Sequence, residues 1–585
     1  MSQTHPPEAT SSPLSSSVSD DSLEEKIIQA LRKTEDDKDF LPADIIDALT
    51  SRSIVEEELE AHVTSDQLSS LVAYVTNPNQ PARRLFLTLV VCDDLKRLQD
   101  LANAPQKFHD NDLPVKVVRS PNTNGYFMES IDGGKKWPLF ASRRKLTLDS
   151  FFHSQWQFLA PVFAANCFRH KLHPSCPLPF IVKINHQKAG FFSSVFEVVI
   201  HDAHQKVTGK QIRVASKEMR IGMDSYYEKE ADILETIRNI DNPHLIKPLA
   251  AYRRGDLRGF LFPWGEGGNL KEFWGSQEKL RPVPVRDRHL VLWVLRQLQG
   301  ICGSISALHE RNCRHGDLKP ENILHFLETG SNGVLRVADV GLARFHLDDT
   351  RNRNQPTNTM TGTVRYEPPE FGLTEQISRL YDVWSLGCVF LEFLIWVLYG
   401  NSKLRDFNRA SIEEKFWSKD DEGYHQHREV KRWISRMSKD LRRNDITSST
   451  ALKDVLELID FNMLVPEVEG RTNSLKLYER LRSIFEQAQA QEDYLLDPTL
   501  WNRISTSAVP AEHRRFNLEV PDQRPLRGRA PTGQKPQPAL LERAPDVPIP
   551  DTPVIVEPNA EPSKVNMQVP ILNAQEVRKS WHDTT

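Results

Sequence analysis

Residues 313–324, "CRHGDLKPENIL", set three polar side chains at short spacing between two apolar helical segments. These are Asp317, Lys319 and Asn322, and Asp339 follows 22 residues after the first of them, behind the strand-like "VLRVA". Transfer of a phosphoryl group from a triphosphate requires a divalent cation, and Mg²⁺ prefers oxygen ligands such as those of Asn and Asp. A further carboxylate must accept the hydrogen of the attacking hydroxyl. The pattern therefore indicates phosphoryl transfer.

The composition excludes several other classes of protein. The chain has 585 residues, a formal net charge of −4 and six scattered cysteines. This charge is not typical of a dedicated nucleic-acid-binding protein, and the cysteines lack the spacing of a disulfide framework or a metal site. Residues 383–400 are nearly long enough to span a membrane, but Glu392 favours a buried core helix. Because no signal peptide begins the chain, we expect an intracellular protein of the cytoplasm or nucleus, without a membrane or nucleic-acid partner.

The organisation along the chain predicts two lobes between disordered ends. Residues 1–20 are rich in Ser, Pro and Thr, and residues 491–585 are rich in Pro, so both are expected to be disordered. Residues 21–170 are predicted to be mostly helical, with capping-box signals in "SLEE" (22–25) and "SIVE" (53–56). Residues 178–490 change from alternating apolar residues to helical periodicity. This predicts an α+β fold, with a small antiparallel sheet lobe before a larger helical lobe.

The order of several motifs in residues 178–490 resembles a eukaryotic-type protein kinase domain. The opening stretch matches the catalytic-loop signature H-R-D-L-x-x-x-N, and "DVG" at 339–341 matches D-F-G. "PPE" at 368–370 stands for A-P-E, with Arg471 where kinases pair an arginine with its Glu, and "YDVWSLG" supplies Asp382 as a support of the catalytic loop. "QWQFLAPVF" and "FPWGEGGNL" are similar to segments of kinase-domain proteins of filamentous fungi.

This resemblance implies a serine/threonine kinase that uses ATP and Mg²⁺ and acts on a protein substrate. Asp317 would be the catalytic base or the residue that orients the substrate hydroxyl. Lys319, which is typical of serine/threonine kinases, would steady the transferred phosphate. Asn322 and Asp339 would bind both the cofactor and its Mg²⁺.

The resemblance also implies a lysine that contacts the α- and β-phosphates of ATP. Lys217, in "VASK", matches it and requires a carboxylate from the following helix. Glu230 is the best candidate, because it fits the apolar stripe of that helix better than Glu228 or Glu235 does.

The remaining nucleotide contacts are implied by two weaker matches. In "KAGFFSSV", Gly190 and Val195 would cover the phosphates. In "FLFPWGEGGNL", the carbonyl of Pro263 and the N–H of Gly265 would bind adenine, and Asn269 would bind ribose. A proline keeps its carbonyl although it lacks an N–H, so Pro263 does not argue against adenine binding.

Three positions depart from the kinase pattern. The phosphate-covering loop keeps only Gly190, Val340 replaces the Phe of D-F-G, and Gly316 replaces the Arg of H-R-D. None of these changes removes a phosphate or metal ligand. Since Gly316 has no charge to pair with a phosphorylated residue, we expect activity without phosphorylation of the activation segment.

Three hypotheses remain open. The first is an active protein kinase, which the retained Lys217, Asp317, Asn322 and Asp339 favour. The second is a pseudokinase, an ATP-binding scaffold that uses the N-terminal region and the tail for interactions. The third is a kinase fold that acts on a small molecule. In each case residues 21–170 and the Pro-rich tail are candidate docking sites for partners.

Overall fold

The computed structural model describes residues 21–121, 124–142, 144–189, 193–206, 213–280, 287–328, 332–340, 364–371, 378–410, 415–442 and 449–495. The predicted disordered segment 1–20 and most of the predicted tail lie outside these ranges.

The N-terminal region begins with short helices whose apolar faces share a core of their own. They are α1 (Leu23–Ala30), α2 (Ala43–Leu49), α3 (Arg52–Glu60), α4 (Ser65–Val75), α5 (Arg83–Val91) and α6 (Arg97–Asn103). The predicted capping box at α1 is confirmed, because Ser22 and Glu25 exchange side-chain and backbone hydrogen bonds. The capping box predicted in "SIVE" (53–56) is wrong. Ser51 has the extended backbone of an N-cap, and α3 already begins at Arg52.

A small sheet in this region was not predicted. After the hairpin of β1 (Arg32–Lys33) and β2 (Asp39–Phe40), the strands β3 (Val115–Arg119), β4 (Tyr126–Ser130) and β5 (Lys136–Ser142) pair in antiparallel order, and α7 (Lys145–Ser154) follows. Few of their residues are fully buried, among them Val115 and Met128. Alternation is therefore weak in the sequence, which is why periodicity did not find these strands.

The sheet lobe is a six-stranded sheet in the order β7-β12-β13-β11-β9-β8. The elements of this lobe are β6 (Phe163–Ala164), β7 (Arg169–Leu172), β8 (Phe180–Ala189), β9 (Ser193–Ile200), β10 (Gln205–Lys206), β11 (Arg213–Met219), α8 (Asp224–Arg238), β12 (Ala250–Arg254) and β13 (Leu257–Pro263). All neighbours in the large sheet are antiparallel except β7 and β12, which are parallel. Strand β7 precedes the boundary expected at residue 178, so part of the N-terminal region completes this lobe.

The helical lobe surrounds one long buried helix. Its helices are α9 (Leu270–Leu280), α10 (Arg288–Glu310), α11 (Leu380–Tyr399), α12 (Asn401–Ala410), α13 (Arg428–Asp440), α14 (Ala451–Leu458), α15 (Ser474–Ala490) and α16 (Glu492–Leu495). Its strands form two hairpins, β14 (Ile323–Phe326) with β15 (Val334–Val337), and β16 (Trp417–Asp420) with β17 (Gly423–Gln426). The predicted two-lobe α+β fold is confirmed.

Helix α11 contains the segment that resembled a membrane span. By length and composition both α10 and α11 could cross a membrane, but 94% of the apolar window of α11 is buried inside the protein. The expected buried core helix is therefore confirmed. At the other end of the lobe, Tyr494 of α16 is buried and donates a hydrogen bond to Asp454 at 2.6 Å, so the folded lobe extends past the boundary expected at residue 490.

Candidate active site

The catalytic-loop stretch lies between α10 and β14, and one buried carboxylate holds its backbone. Asp382, on α11, accepts the N–H of His315 at 2.8 Å and the N–H of Gly316 at 2.7 Å. His309 contacts the same carboxylate through Nε2 at 2.8 Å. Burial alone would raise the pKa of Asp382, but the interaction with His309 and the hydrogen bond from Gly316 lower it below its usual value. The predicted support of the loop by Asp382 is therefore present.

Gly316 has a backbone conformation that favours glycine. Its φ is +74°, in the left-handed region, where a Cβ costs roughly 1–2 kcal/mol. This requirement was not predictable, since the φ of a single residue leaves no periodic signal in a sequence. The loop geometry therefore gives this glycine a conformational role besides the absence of a charge.

The three polar side chains of the loop lie together. Lys319 Nζ is 2.8 Å from Asp317 Oδ2, and Asn322 Nδ2 donates to the same oxygen at 3.0 Å. Asn322 also donates to the backbone oxygen of Asp317 at 2.8 Å. Because both side-chain contacts use Oδ2, they hold the carboxylate of Asp317 in one orientation.

His315 ties the loop to the segment that carries Asp339. Its Nε2 is 2.8 Å from the backbone oxygen of Ala338, and the N–H of Ala338 donates to the backbone oxygen of Asn322 at 2.9 Å. His315 is fully buried. These bonds bring Asp339, the next residue, to the side of the catalytic loop.

Lys217 connects the sheet lobe to the segment that carries Asp339. Its ammonium is 2.9 Å from Glu230 Oε1 on α8 and 3.2 Å from Asp339 Oδ1. Burial alone would lower the pKa of Lys217, but the two carboxylates raise it well above its usual value. For Asp339 burial would raise the pKa, and the ammonium of Lys217 more than offsets this effect. The site therefore holds a permanent positive charge beside a carboxylate that stays ionised.

Two oxygen donors fit a hard divalent cation. Asp339 uses Oδ1 for Lys217 and has a side chain that is 39% exposed, and Asn322 uses its amide nitrogen for Asp317. Oδ2 of Asp339 and Oδ1 of Asn322 are then available as metal ligands. The described residues contain no group of three or more His, Cys, Asp or Glu that could hold a metal. A pair of oxygen donors suits Mg²⁺, which usually keeps waters and phosphate oxygens as its other ligands.

Two of the predicted nucleotide contacts lie on strands next to β11, which carries Lys217. Val195 lies opposite Lys217 in the pairing of β9 with β11, and Pro263 ends β13 opposite Val214. Gly265 follows Pro263 and lies close to β14, since a Cβ on it would be 3.4 Å from the backbone oxygen of His325. Gly190 lies outside the described residues.

Asn269 has a structural role that was not predicted. Its Oδ1 accepts the N–H of Glu272 at 2.9 Å, and the carboxylate of Glu272 accepts the N–H of Asn269 at 3.0 Å. This is a reciprocal capping box at the start of α9, for which the sequence "NLKE" was a readable signal. The ribose contact expected of Asn269 stays a prediction.

The end of the predicted activation segment is anchored as expected. Arg471 binds Glu370 through two parallel hydrogen bonds, of 2.7 Å and 2.8 Å, and is buried. Val340 is also buried, in the main core of the protein, as expected of a smaller apolar residue at a packing position. Gly341 and the threonines that precede "PPE", namely Thr357, Thr359, Thr361 and Thr363, lie outside the described residues.

A cavity of about 330 Å³ adjoins the catalytic loop, and the sequence analysis missed it. Glu392 lies in its wall, where its carboxylate accepts the hydroxyl of Tyr366 at 3.0 Å and is 3.5 Å from Nε of Arg365. Burial raises the pKa of Glu392 to about 7, although Arg365 acts in the opposite direction. The sequence signal for this buried group was Glu392 itself, a single carboxylate in the apolar stretch 383–400. That residue served above only as an argument against a membrane span.

Comparisons with known proteins agree with this geometry. A family model described as protein kinase domain matches residues 188–461. A probable cell division protein kinase of Encephalitozoon cuniculi is 30% identical over 207 residues, which are 35% of this chain and 68% of that protein. The serine/threonine-protein kinase nekl-2 of Caenorhabditis elegans is 26% identical over 33% of this chain and 50% of its own length. The serine/threonine-protein kinase PKH3 of Eremothecium gossypii is 25% identical over 35% of this chain and 27% of its own length.

The two lobes, together with Lys217 paired to Glu230 and Asp339, define a protein kinase domain. The chain belongs to the protein kinase family, and its relatives are serine/threonine kinases. It spans 68% of the length of the Encephalitozoon cuniculi kinase, 50% of nekl-2 and 27% of PKH3. The family model leaves out the region before residue 188.

Proposed function

We propose that the chain is an active protein serine/threonine kinase that requires ATP and Mg²⁺ and has a catalytic loop of the H-G-D type. One observation carries this proposal: Lys217 contacts both Glu230, at 2.9 Å, and Asp339, at 3.2 Å. This arrangement joins the two lobes, and in kinases it is required together with the metal-binding Asp. A scaffold has no chemical need for a buried lysine shared by two carboxylates.

The residues of the chain divide the chemistry between them. Asp317, oriented by Lys319 and Asn322, accepts the hydrogen of a substrate hydroxyl on Oδ1 and directs its attack. Lys319 lies beside this carboxylate, where its ammonium stabilises negative charge on the transferred group. Lys217 holds the α- and β-phosphates. Bound Mg²⁺, held by Asn322 and Asp339, would supply neutralisation of the triphosphate charge.

The test is phosphotransfer by the purified chain with Mg²⁺ and labelled ATP, against the variant Asp317→Asn. The variant keeps the size of the side chain but weakens its ability to accept a proton, so we expect the rate to fall by roughly 10²–10⁴-fold. Asp241→Asn, which changes an exposed carboxylate, is the matched control and should leave the rate unchanged. Equal, measurable rates for wild type and Asp317→Asn would reject the catalytic assignment of Asp317. No transfer by wild type would reject the kinase proposal and favour an ATP-binding scaffold.

We also propose that activity does not require phosphorylation of the activation segment. The support is Gly316, whose N–H is used by Asp382 and which has no side chain to bind a phosphate. Protein treated with a phosphatase should transfer phosphate at the same rate as untreated protein, without a lag. A strict need for prior phosphorylation would reject this part of the proposal.

We propose that the N-terminal region and the Pro-rich tail bind docking partners. The support is that residues 21–187 precede the family match and that the tail contains runs such as "DVPIPDTPVIVEP". Phosphorylation of protein substrates by the full chain can be compared with that by a chain ending at residue 495. Equal KM values for all protein substrates would reject a docking role of the tail.

We propose an intracellular location, in the cytoplasm or nucleus. The six cysteines, all of which lie in described segments, are free thiols, and two of them are fully buried. Free thiols are typical of reducing compartments. Imaging of a fluorescent fusion of the chain tests this, and secretion into the medium would contradict it.

A further inference from the structure

Helix α8 carries functional side chains on two of its faces. Glu230 is directed inward, is 1% exposed and contacts Lys217. A row of carboxylates lies on the outward face, formed by Glu228, Asp232 and Glu235 at the spacing of successive helical turns. Like charges at this spacing repel each other, so the row requires a cation from another part of the chain.

Arg169 supplies that cation from β7. Its guanidinium is 2.6 Å from Asp232, 2.9 Å from Glu235 and 3.4 Å from Glu228. Arg253 also approaches Glu228, at 3.8 Å. Within the described residues, however, Asp232 and Glu235 form ion pairs with no cation except Arg169.

The same segment contacts α8 a second time, at the C-terminal end of the helix. The guanidinium of Arg238 donates a hydrogen bond to the backbone oxygen of Ala165 and lies 5.5 Å from the ring centre of Phe168. Phe168 is 4% exposed, and its backbone oxygen accepts the N–H of Ala251 at 2.7 Å. The segment 165–172 is therefore fixed to the sheet on one side and to α8 on the other.

We propose that Arg169 is a positioning residue, through which the segment 165–172 holds α8 where Glu230 reaches Lys217. The inference rests on the proposed kinase function, since it concerns the pair that binds the phosphates. The segment lies before the matched residues 188–461, so the chain supplies from its own N-terminal region a contact that stabilises the assembled site.

The physical basis is the position of Asp232 and Glu235 relative to Glu230. They follow it by two and five residues on the same helix, so a rotation or outward shift of α8 moves all three together. When Arg169 is removed, Asp232 and Glu235 lose their cation. An outward shift of α8 then costs less free energy. Because these ion pairs are exposed, salt screens them, whereas it screens the buried pair of Lys217 and Glu230 much less.

The experiment compares four variants of the full chain. Arg169→Ala removes the cation, and Asp232→Asn with Glu235→Gln removes two of its carboxylate partners, alone or together with Arg169→Ala. Lys171→Ala is the matched control, because Lys171 is an exposed cation on the same face of β7 and forms no ion pair with any described residue. The measurements are kcat and KM for ATP at low and high salt, and hydrogen exchange of the amides of α8.

We expect kcat/KM for ATP to fall by about tenfold in Arg169→Ala at low salt, mainly through KM, as several exposed ion pairs allow. The difference from wild type should shrink at high salt, and exchange in α8 should rise while exchange in α15 stays unchanged. In the chain that lacks both carboxylates, Arg169→Ala should cause little further loss. The control should behave as wild type.

Unchanged KM and unchanged exchange of α8 in Arg169→Ala would overturn the inference. An equally large loss from Arg169→Ala in the chain that lacks both carboxylates would also overturn it. If wild type transfers no phosphate, the kinase proposal fails separately, and exchange of α8 still decides whether Arg169 positions the helix.

Discussion

The catalytic loop and the junction between residues 34–43 and the sheet lobe are held by different kinds of interaction. In the loop one buried, ionised carboxylate, Asp382, binds two backbone N–H groups and His309. At the junction the contacts are spread out: Glu35 N–H donates to the oxygen of Phe180 at 2.8 Å, and Ala43 N–H donates to Nε2 of His204 at 3.1 Å. The loop thus depends on a single charge, whereas the junction depends on several modest contacts.

The two regions also differ in how protons affect them. The pKa of Asp382 is held below its usual value, so the carboxylate stays ionised at any pH near neutrality. Burial lowers the pKa of His204 to about 4, so its imidazole is neutral and can accept the N–H of Ala43 only in that state. The comparison indicates that mild acid affects the junction through His204 and leaves the carboxylate of Asp382 ionised.

The largest effect is expected from Asp382→Asn. An amide can accept a hydrogen bond with one atom only, so at least one buried N–H group of the loop is left facing another donor. Loss of a buried charge that several groups bind costs about 3–5 kcal/mol. We expect a large decrease in the midpoint of thermal unfolding and little remaining phosphotransfer.

The matched control for this substitution is Asp406→Asn, which changes an exposed carboxylate on the neighbouring helix α12. It should leave both the unfolding midpoint and the rate near the wild-type values. If Asp382→Asn were as mild as the control, the loop would not depend on a single charge, and its contrast with the junction would be lost.

The loop was predictable because its chemistry is local in sequence. Asp317, Lys319 and Asn322 lie within six residues, and their types follow from what phosphoryl transfer requires. Glu230 was chosen from a helical stripe, and α8 does direct it to Lys217 while Glu228 and Glu235 face Arg169. Periodicity therefore separated the two faces of that helix correctly.

The junction and the edge of the sheet lobe were not predictable in the same way. Strand β7 is four residues long and pairs with β12, which lies about eighty residues later, so no local pattern indicates the pairing. The role of His204 depends on Ala43, 161 residues away in the sequence. Contacts of this kind follow from tertiary packing, which a single sequence does not reveal.

An intermediate effect is expected at the junction in mild acid. The pKa of His204 is about 4 in the folded chain and about 6.5 when the junction opens. The contribution of His204 to the stability of the closed junction is therefore present above pH 6.5 and is lost as the pH falls toward 4. At pH 5 the loss should be about 2 kcal/mol relative to pH 7. Hydrogen exchange of the segment around Ala43, corrected for the intrinsic effect of pH, measures it.

His204→Gln sharpens this test, because an amide oxygen can accept the N–H of Ala43 but does not titrate in this range. The variant should show little change of protection between pH 7 and pH 5. His289→Gln, which replaces an exposed histidine on α10, should keep the wild-type loss. The same loss in all three proteins would show that another group controls the junction.

The smallest effect is expected from Gly316→Ala, which separates the backbone role of the glycine from its lack of charge. Its φ of +74° should make the alanine variant less stable by roughly 1–2 kcal/mol, measured by denaturant unfolding. Alanine adds no charge, so the variant should remain independent of phosphorylation while its kcat falls only slightly. Ala307→Gly, on helix α10, is the control. There the removal of a Cβ, not its addition, should destabilise the protein. If Gly316→Ala were neutral in stability, the loop would tolerate a Cβ at this φ, and the glycine would be explained by charge alone.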